Sequence, residues 1–131
     1  MKLLADIGNS QIKVAIAKKL SLSKIKSFSL DEIEKLQDYT SRNCSDRDST
    51  LLYSSVLDKK FNKKFKKNLK GIFIKKIEFK STKSLLSVKN SYVNPRKLGS
   101  DRWAQIVAAN KIYQKNTMIV SCGSAISIDY T

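Results

Sequence analysis

Lys2-Leu-Leu-Ala-Asp-Ile-Gly-Asn-Ser-Gln-Ile-Lys-Val-Ala-Ile-Ala17 is the stretch that decides the fold. Lys2 to Ile7 is a short apolar run broken by Gly8-Asn9. From Gln11 onward apolar residues recur at every second position, Ile12, Val14 and Ile16. Two strands joined by a tight hairpin follow, with Asp6-Ile-Gly-Asn-Ser10 at the turn. Gly8 can take a positive φ there and Asn9 tolerates one. Such a turn gathers backbone N–H groups, an amide and a hydroxyl around one point, which suits a phosphate. Asp6, ending the first strand, is placed to hold a divalent cation that bridges phosphate oxygens. Lys13 can reach back as a point charge. Alone, the motif reads as an ordinary hairpin with a polar tip.

Working outward, Lys24–Ser29 reads as a third strand. Ser29–Leu36 reads as a helix with a Ser-to-Glu32 capping box, and Tyr39–Thr50 as a polar loop. Leu51–Val56 is a strand. Asp58–Lys70 is a lysine-rich amphipathic helix with Phe61, Phe65 and Leu69 on one face, ended by Gly71. Its apolar stripe reads as core and its lysines as a solvated back. Ile72–Phe79 alternates as a strand, and Thr82–Asn90 reads as a short helical turn. A helix carries Trp103, Ile106, Val107 and Tyr113, and a strand covers Thr117–Ser121. Cys122-Gly-Ser124 then makes a second tight turn into Ala125–Tyr130, where Ile126 and Ile128 share one face and Ser127 and Asp129 the other. The second hairpin echoes the first, which predicts two related α/β domains.

Tyr92-Val-Asn-Pro-Arg-Lys-Leu-Gly-Ser-Asp-Arg-Trp103 holds the only proline and the only tryptophan. Pro95 and Gly99 punctuate a loop, and Ser100-Asp101 suits a helix start. An acid and a guanidinium, Asp101 and Arg102, therefore stand at a helix mouth, as a cap with its ion-pair partner or as working groups.

The composition narrows the options. The chain has 131 residues, 41% of them hydrophobic, and a net charge of +15 from 26 Lys+Arg against 11 Asp+Glu. Nearly all of the bases are lysine, whereas readers of nucleic acid favour arginine. No specific nucleic-acid partner is expected, only weak non-specific binding at low salt. There is no histidine, which excludes histidine bases and ligands. Cys44 and Cys122 lack metal-ligand spacing and read as reduced thiols. The apolar start is too short for a signal peptide, and no stretch reaches membrane-span length. A cytoplasmic protein without membrane contact is expected.

Three blocks, in order, resemble the signature of the type III pantothenate kinases. They are Asp6-Ile-Gly-Asn-Ser10, then Tyr92-Val-Asn-Pro with Leu98-Gly-Ser-Asp-Arg-Trp103, then Cys122-Gly-Ser-Ala-Ile-Ser-Ile-Asp129. The first is shared across the actin-like and sugar-kinase-like superfamily; the second is specific to the family. The resemblance implies an α/β, actin-like (ribonuclease H-like) ATPase fold, a mixed sheet flanked by helices. Residues 1–115 would be a complete first domain. Residues 116–131 would be the first hairpin of a second, C-terminally truncated one. It implies ATP-dependent phosphorylation of pantothenate, the first step of coenzyme A synthesis, with Mg2+ and a monovalent cation (K+ or NH4+), in a homodimer when full length.

Carried over residue by residue, Asp6, Ile7, Gly8, Asn9, Ser10, Gln11, Ile12 and Lys13 form the ATP segment. Ser124 matches a threonine that contacts ATP. Asp101 is the proton acceptor, and Tyr92, Gly99, Ser100, Asp101 and Arg102 bind pantothenate. Ser121 stands where the family usually has the aspartate of the monovalent-cation site. These 131 residues alone are expected to show no measurable kinase activity. Two other readings stand beside this one: a non-catalytic accessory-factor relative of the same fold, and a basic nucleic-acid-binding module.

Overall fold

The hairpin forms as its alternation demands. β1 (Lys2–Ile7) and β2 (Gln11–Lys18) pair antiparallel with Ile7 opposite Ile12 and Leu3 opposite Ile16. Leu3, Ala5, Ile7, Ile12, Val14 and Ile16 are buried, while Lys2, Asp6, Gln11 and Lys13 are exposed. The computed structural model of the chain describes residues 1–19, 21–44, 48–123 and 125–131, which fall into two compact units, Met1–Phe79 and Lys80–Thr131.

In the first unit β2 also pairs with two short strands, β3 (Ser21–Leu22) and β4 (Lys26–Ser29). One strand from Lys24 was expected. Ser23 breaks it, because its hydroxyl accepts from the Ile16 N–H while its own N–H donates to the Ile16 carbonyl, both at 2.9 Å. On the other side of β1 lie β5 (Thr50–Ser55) and β6 (Lys75–Glu78), giving the order β3-β2-β1-β5-β6 with β1, β5 and β6 parallel. Parallel neighbours need crossovers, and helices supply them. α1 (Ile33–Asn43) precedes β5, and α2 (Lys59–Asn68) links β5 to β6. This is the mixed α/β sheet with helices that the resemblance implied.

α1 corrects the expected loop from Tyr39. The Glu32 carboxylate accepts from the Ser29 N–H at 3.0 Å, the returning arm of the capping box. The helix then runs on to Asn43, because Leu36, Thr40 and Cys44 fall one turn apart and all are buried. Asp38, Ser41 and Arg42, polar enough to read as loop, are its exposed face.

α2 is capped by Asp58, whose Oδ1 accepts from the Phe61 N–H at 2.7 Å. Phe65 and Leu69 are fully buried, so its apolar stripe is core, as expected. Gly71 at φ +90° turns the chain away. The strand expected from Ile72 pairs only from Lys75, since Phe73 enters the core instead. Tyr53 stacks on Phe65 with ring centroids 5.8 Å apart. Truncating Phe65 to Ala would cost about 3–5 kcal/mol.

In the second unit, residues expected to form a helical turn make a small hairpin, β7 (Ser84–Leu85) and β8 (Val88–Lys89), with Leu86 at φ +53°. A 3-10 turn covers Pro95–Lys97, and α3 spans Ser100–Tyr113 with Trp103, Ile106, Val107 and Ala109 buried. β9 (Met118–Cys122) and β10 (Ile126–Tyr130) form an antiparallel hairpin. Its Ser127 and Asp129 share one face, as the alternation predicted, but that polar face is the partly buried one, while Ile126 and Ile128 are exposed. Neither Cys44 nor Cys122 is in a disulfide. Among the described residues no helix is long and apolar enough to cross a membrane.

Candidate active site

The first unit supplies the turn expected to meet a phosphate. Asp6 and Lys13 stand directly opposite each other across β1 and β2, both exposed. The Gly8 N–H donates to the Gln11 carbonyl at 2.9 Å, leaving Asn9 and Ser10 as an exposed tip. Neither Gly8 nor Asn9 adopts the positive φ that the turn was read as needing. A Cβ on Gly8 would lie 3.5 Å from the Gln11 carbonyl oxygen, an ordinary contact. The glycine therefore serves to leave backbone uncovered rather than to permit a special conformation. Ile7 and Ile12 are fully buried, so among the expected ATP residues these two offer backbone only.

The second unit builds the loop before α3. Asn90, 3% exposed, is its hub. Its Nδ2 donates to the carbonyls of Thr82 at 3.2 Å and Pro95 at 3.4 Å, and its Oδ1 accepts from the Tyr92 N–H at 3.0 Å. One buried amide thus holds three points of the loop. Asn94 accepts from the Arg96 N–H at 3.1 Å, and the Ser81 hydroxyl donates to the Leu98 carbonyl at 2.7 Å. Nothing in the polar run around Asn90 marked it in advance. Tyr92 stays half-exposed and lines a cavity of about 460 Å3 with Trp103, Asn110 and Asp129. The buried Trp103 Nε1 has no hydrogen-bond partner among the described residues.

Gly99 is the N-cap of α3, and Asp101 lies in the first turn, where the helix dipole favours a carboxylate. Asp101 is not the N-cap residue, a place taken by Gly99. Nor does it pair with Arg102. The guanidinium instead grips Asp129 on β10 with two bonds, Nε to Oδ2 at 2.9 Å and Nη2 to Oδ1 at 2.5 Å. The bond to Asp129 holds Arg102 above even the ordinary arginine range; burial opposes this and the Tyr92 phenol adds to it. Asp129 was placed on the right face by its alternation, but its partner was not foreseen. An acid at an inward position of a strand needs a cation, and that was the available signal.

Ser124 lies outside the described residues. Beside it, the Gly123 N–H donates to the Ala125 carbonyl at 3.2 Å. The Ser121 hydroxyl is hydrogen-bonded to Gln105 Oε1. These residues do not fit a monovalent cation well. Position 121 brings no charge, and Asp129, the acid on that face, is already neutralised by a guanidinium that would repel a cation. Among the described residues no group of three or more His, Cys, Asp or Glu side chains could hold a metal ion.

The family model described as type III pantothenate kinase matches residues 2–131. The type III pantothenate kinase of Thermosipho melanesiensis is 29% identical, over 98% of this chain and 53% of its own length. That of Thiobacillus denitrificans is 28% identical, over 98% of this chain and 50% of its own. That of Acinetobacter baylyi is 34% identical, over 58% of this chain and 31% of its own. The chain spans about half the length of the curated relatives that match it end to end. Matched by that family model from residue 2 to residue 131, the chain belongs to the type III pantothenate kinase family.

Proposed function

We propose that the protein acts in the ATP-dependent phosphorylation of pantothenate to 4'-phosphopantothenate, the first step of coenzyme A synthesis. The observation that carries this is the first turn of α3. Asp101 stands there just inside the Gly99 N-cap and without Arg102 as its partner, while Arg102 beside it is bonded twice to Asp129.

In the reaction the primary hydroxyl oxygen of pantothenate bonds to the γ-phosphorus of ATP. The bond from that phosphorus to the bridging oxygen breaks, and ADP leaves. Asp101 takes the hydroxyl proton, late, because the transition state is loose. Tyr92 and Ser100 line the substrate's path, and Arg102 meets its carboxylate. Asp6, Gly8 to Gln11 and Lys13 receive the phosphates, with Ser124 as a second contact. Magnesium is usually held by one or two carboxylates plus substrate phosphates, and the exposed strand-end Asp6 suits that role. Bound there, the ion would neutralise charge developing on the phosphates. No step depends on a monovalent cation.

On this reading residues 1–115 form a first ribonuclease H-like domain and 116–131 open a second. The working protein is a cytoplasmic homodimer without a specific nucleic-acid or membrane partner. The test is mass-spectrometric detection of phosphopantothenate formed from ATP by a protein in which this chain is extended to the length of its curated relatives, since the 131 residues alone are expected to be inactive, beside the same protein with Asp101→Asn. A fall of ~10²–10⁴-fold in the substituted protein is expected for loss of a general base. Equal rates would contradict the assignment.

A further inference from the structure

We propose that Asp129 is a positioning residue for substrate recognition: it fixes the plane of Arg102 and so decides which edge of the guanidinium meets the carboxylate of pantothenate. This rests on the function proposed above. An arginine side chain carries five N–H donors in a rigid fork. Asp129 takes the Nε and one Nη2 donor through two bonds of 2.9 and 2.5 Å. That leaves the two Nη1 hydrogens and the second Nη2 hydrogen beyond the reach of Asp129.

The burial agrees with this division. The Asp129 side chain is 8% exposed and that of Arg102 31%, so the carboxylate is the buried partner and the arginine keeps part of its surface in solvent. Tyr92, a residue of the substrate loop, acts on the same guanidinium. The pair also ties the first turn of α3 to β10, the strand that follows the Cys122-Gly-Ser124 turn. Orientation of Arg102 is therefore set across a gap of 27 residues by one acid that no sequence block marked as a contact.

Two effects oppose each other when Asp129 is neutralised. Arg102 gains net charge toward the substrate, but it loses its fixed plane. At a partly exposed site the charge is worth under about fivefold in affinity. Loss of a bidentate, preorganised contact outweighs that. Asp129→Asn should therefore weaken binding, although it makes the site more positive.

The experiment is calorimetric titration of the chain with pantothenate, alongside 15N NMR of the Arg102 Nε–H and thermal melting. In wild type the Nε–H resonance is expected to be sharp and slow to exchange. In Asp129→Asn it broadens and pantothenate Kd rises at least ~10-fold. Asp129→Glu, which keeps the charge and the fork, restores the resonance and most of the affinity. Equal or tighter binding by Asp129→Asn overturns the proposal. So does loss of affinity in both variants in step with a lowered melting temperature, which marks a purely structural role. If wild type shows the protected Nε–H but binds no pantothenate, the functional reading fails and this proposal with it. If wild type binds pantothenate with an unprotected Nε–H, only the positioning role fails.

Discussion

A side chain on Gly99 would collide with the carboxylate of Asp101: its Cβ would stand 2.6 Å from Oδ1. The backbone does not demand glycine there, since φ of −54° is open to any residue. The position is kept small so that the carboxylate can fold back over it. Gly99→Ala should therefore leave the chain folded, at a cost of about 1 kcal/mol for the poorer N-cap. It should displace the Asp101 carboxylate and, in the protein extended to its relatives' length, cut phosphopantothenate formation by ~10²-fold. A melting curve near wild type with undiminished transfer would show that the carboxylate's place does not matter.

Asp58 is the acid that starts α2, a helix whose first turn holds Lys59 and Lys60 and no other acid. Its bond to the Phe61 N–H satisfies one orphan donor and opposes the local positive charge. Asp58→Ala is expected to lower stability by about 1–2 kcal/mol in urea unfolding. Asp58→Asn, which keeps the acceptor, should recover most of it. Identical midpoints for all three proteins would remove the cap from the account.

Glu32 gives the first unit a defined acid response. Hydrogen bonds from Lys35 and then from Ser29 lower its carboxyl from the ordinary 4.5 to about 2. The folded value lies below the unfolded one, so the group stabilises the fold above about pH 4.5, and this contribution disappears as pH falls toward 2. Urea midpoints of wild type and Glu32→Gln should differ at pH 6 and converge near pH 2. A gap that persists at pH 2 would mean that packing, not charge, carries the effect.

Potassium should be no better than sodium for this chain. Ser121 is neutral and Asp129 is committed to Arg102. Melting temperature and pantothenate affinity are expected to match in KCl and NaCl of equal ionic strength. A potassium-specific gain in either would show that the site works without its usual acid.

Much of this was open to a reader of the chain. The period of two in Ile12, Val14 and Ile16 gave the first hairpin, and Pro95 with Gly99 gave the loop into α3. Where reading failed, burial had overridden local character. Asp38, Ser41 and Arg42 hid the line of Leu36, Thr40 and Cys44 that carries α1 onward. β7 and β8 are two residues each, too short to show a period. The site residues along the chain were visible as motifs, but the links between distant positions were not. An acid on the strand face of Ser127 hinted that Asp129 needs a cation, but that the cation is Arg102, 27 residues away, is decided by the fold.

The most direct measurement of the central claim is a 1H–15N NMR titration of the chain with pantothenate. Saturable shifts are predicted at Tyr92 and across Gly99 to Trp103, and they should vanish in Arg102→Ala while the rest of the spectrum is kept. No shifts, or shifts confined to other residues, would contradict the assignment of this loop and helix mouth as the pantothenate site.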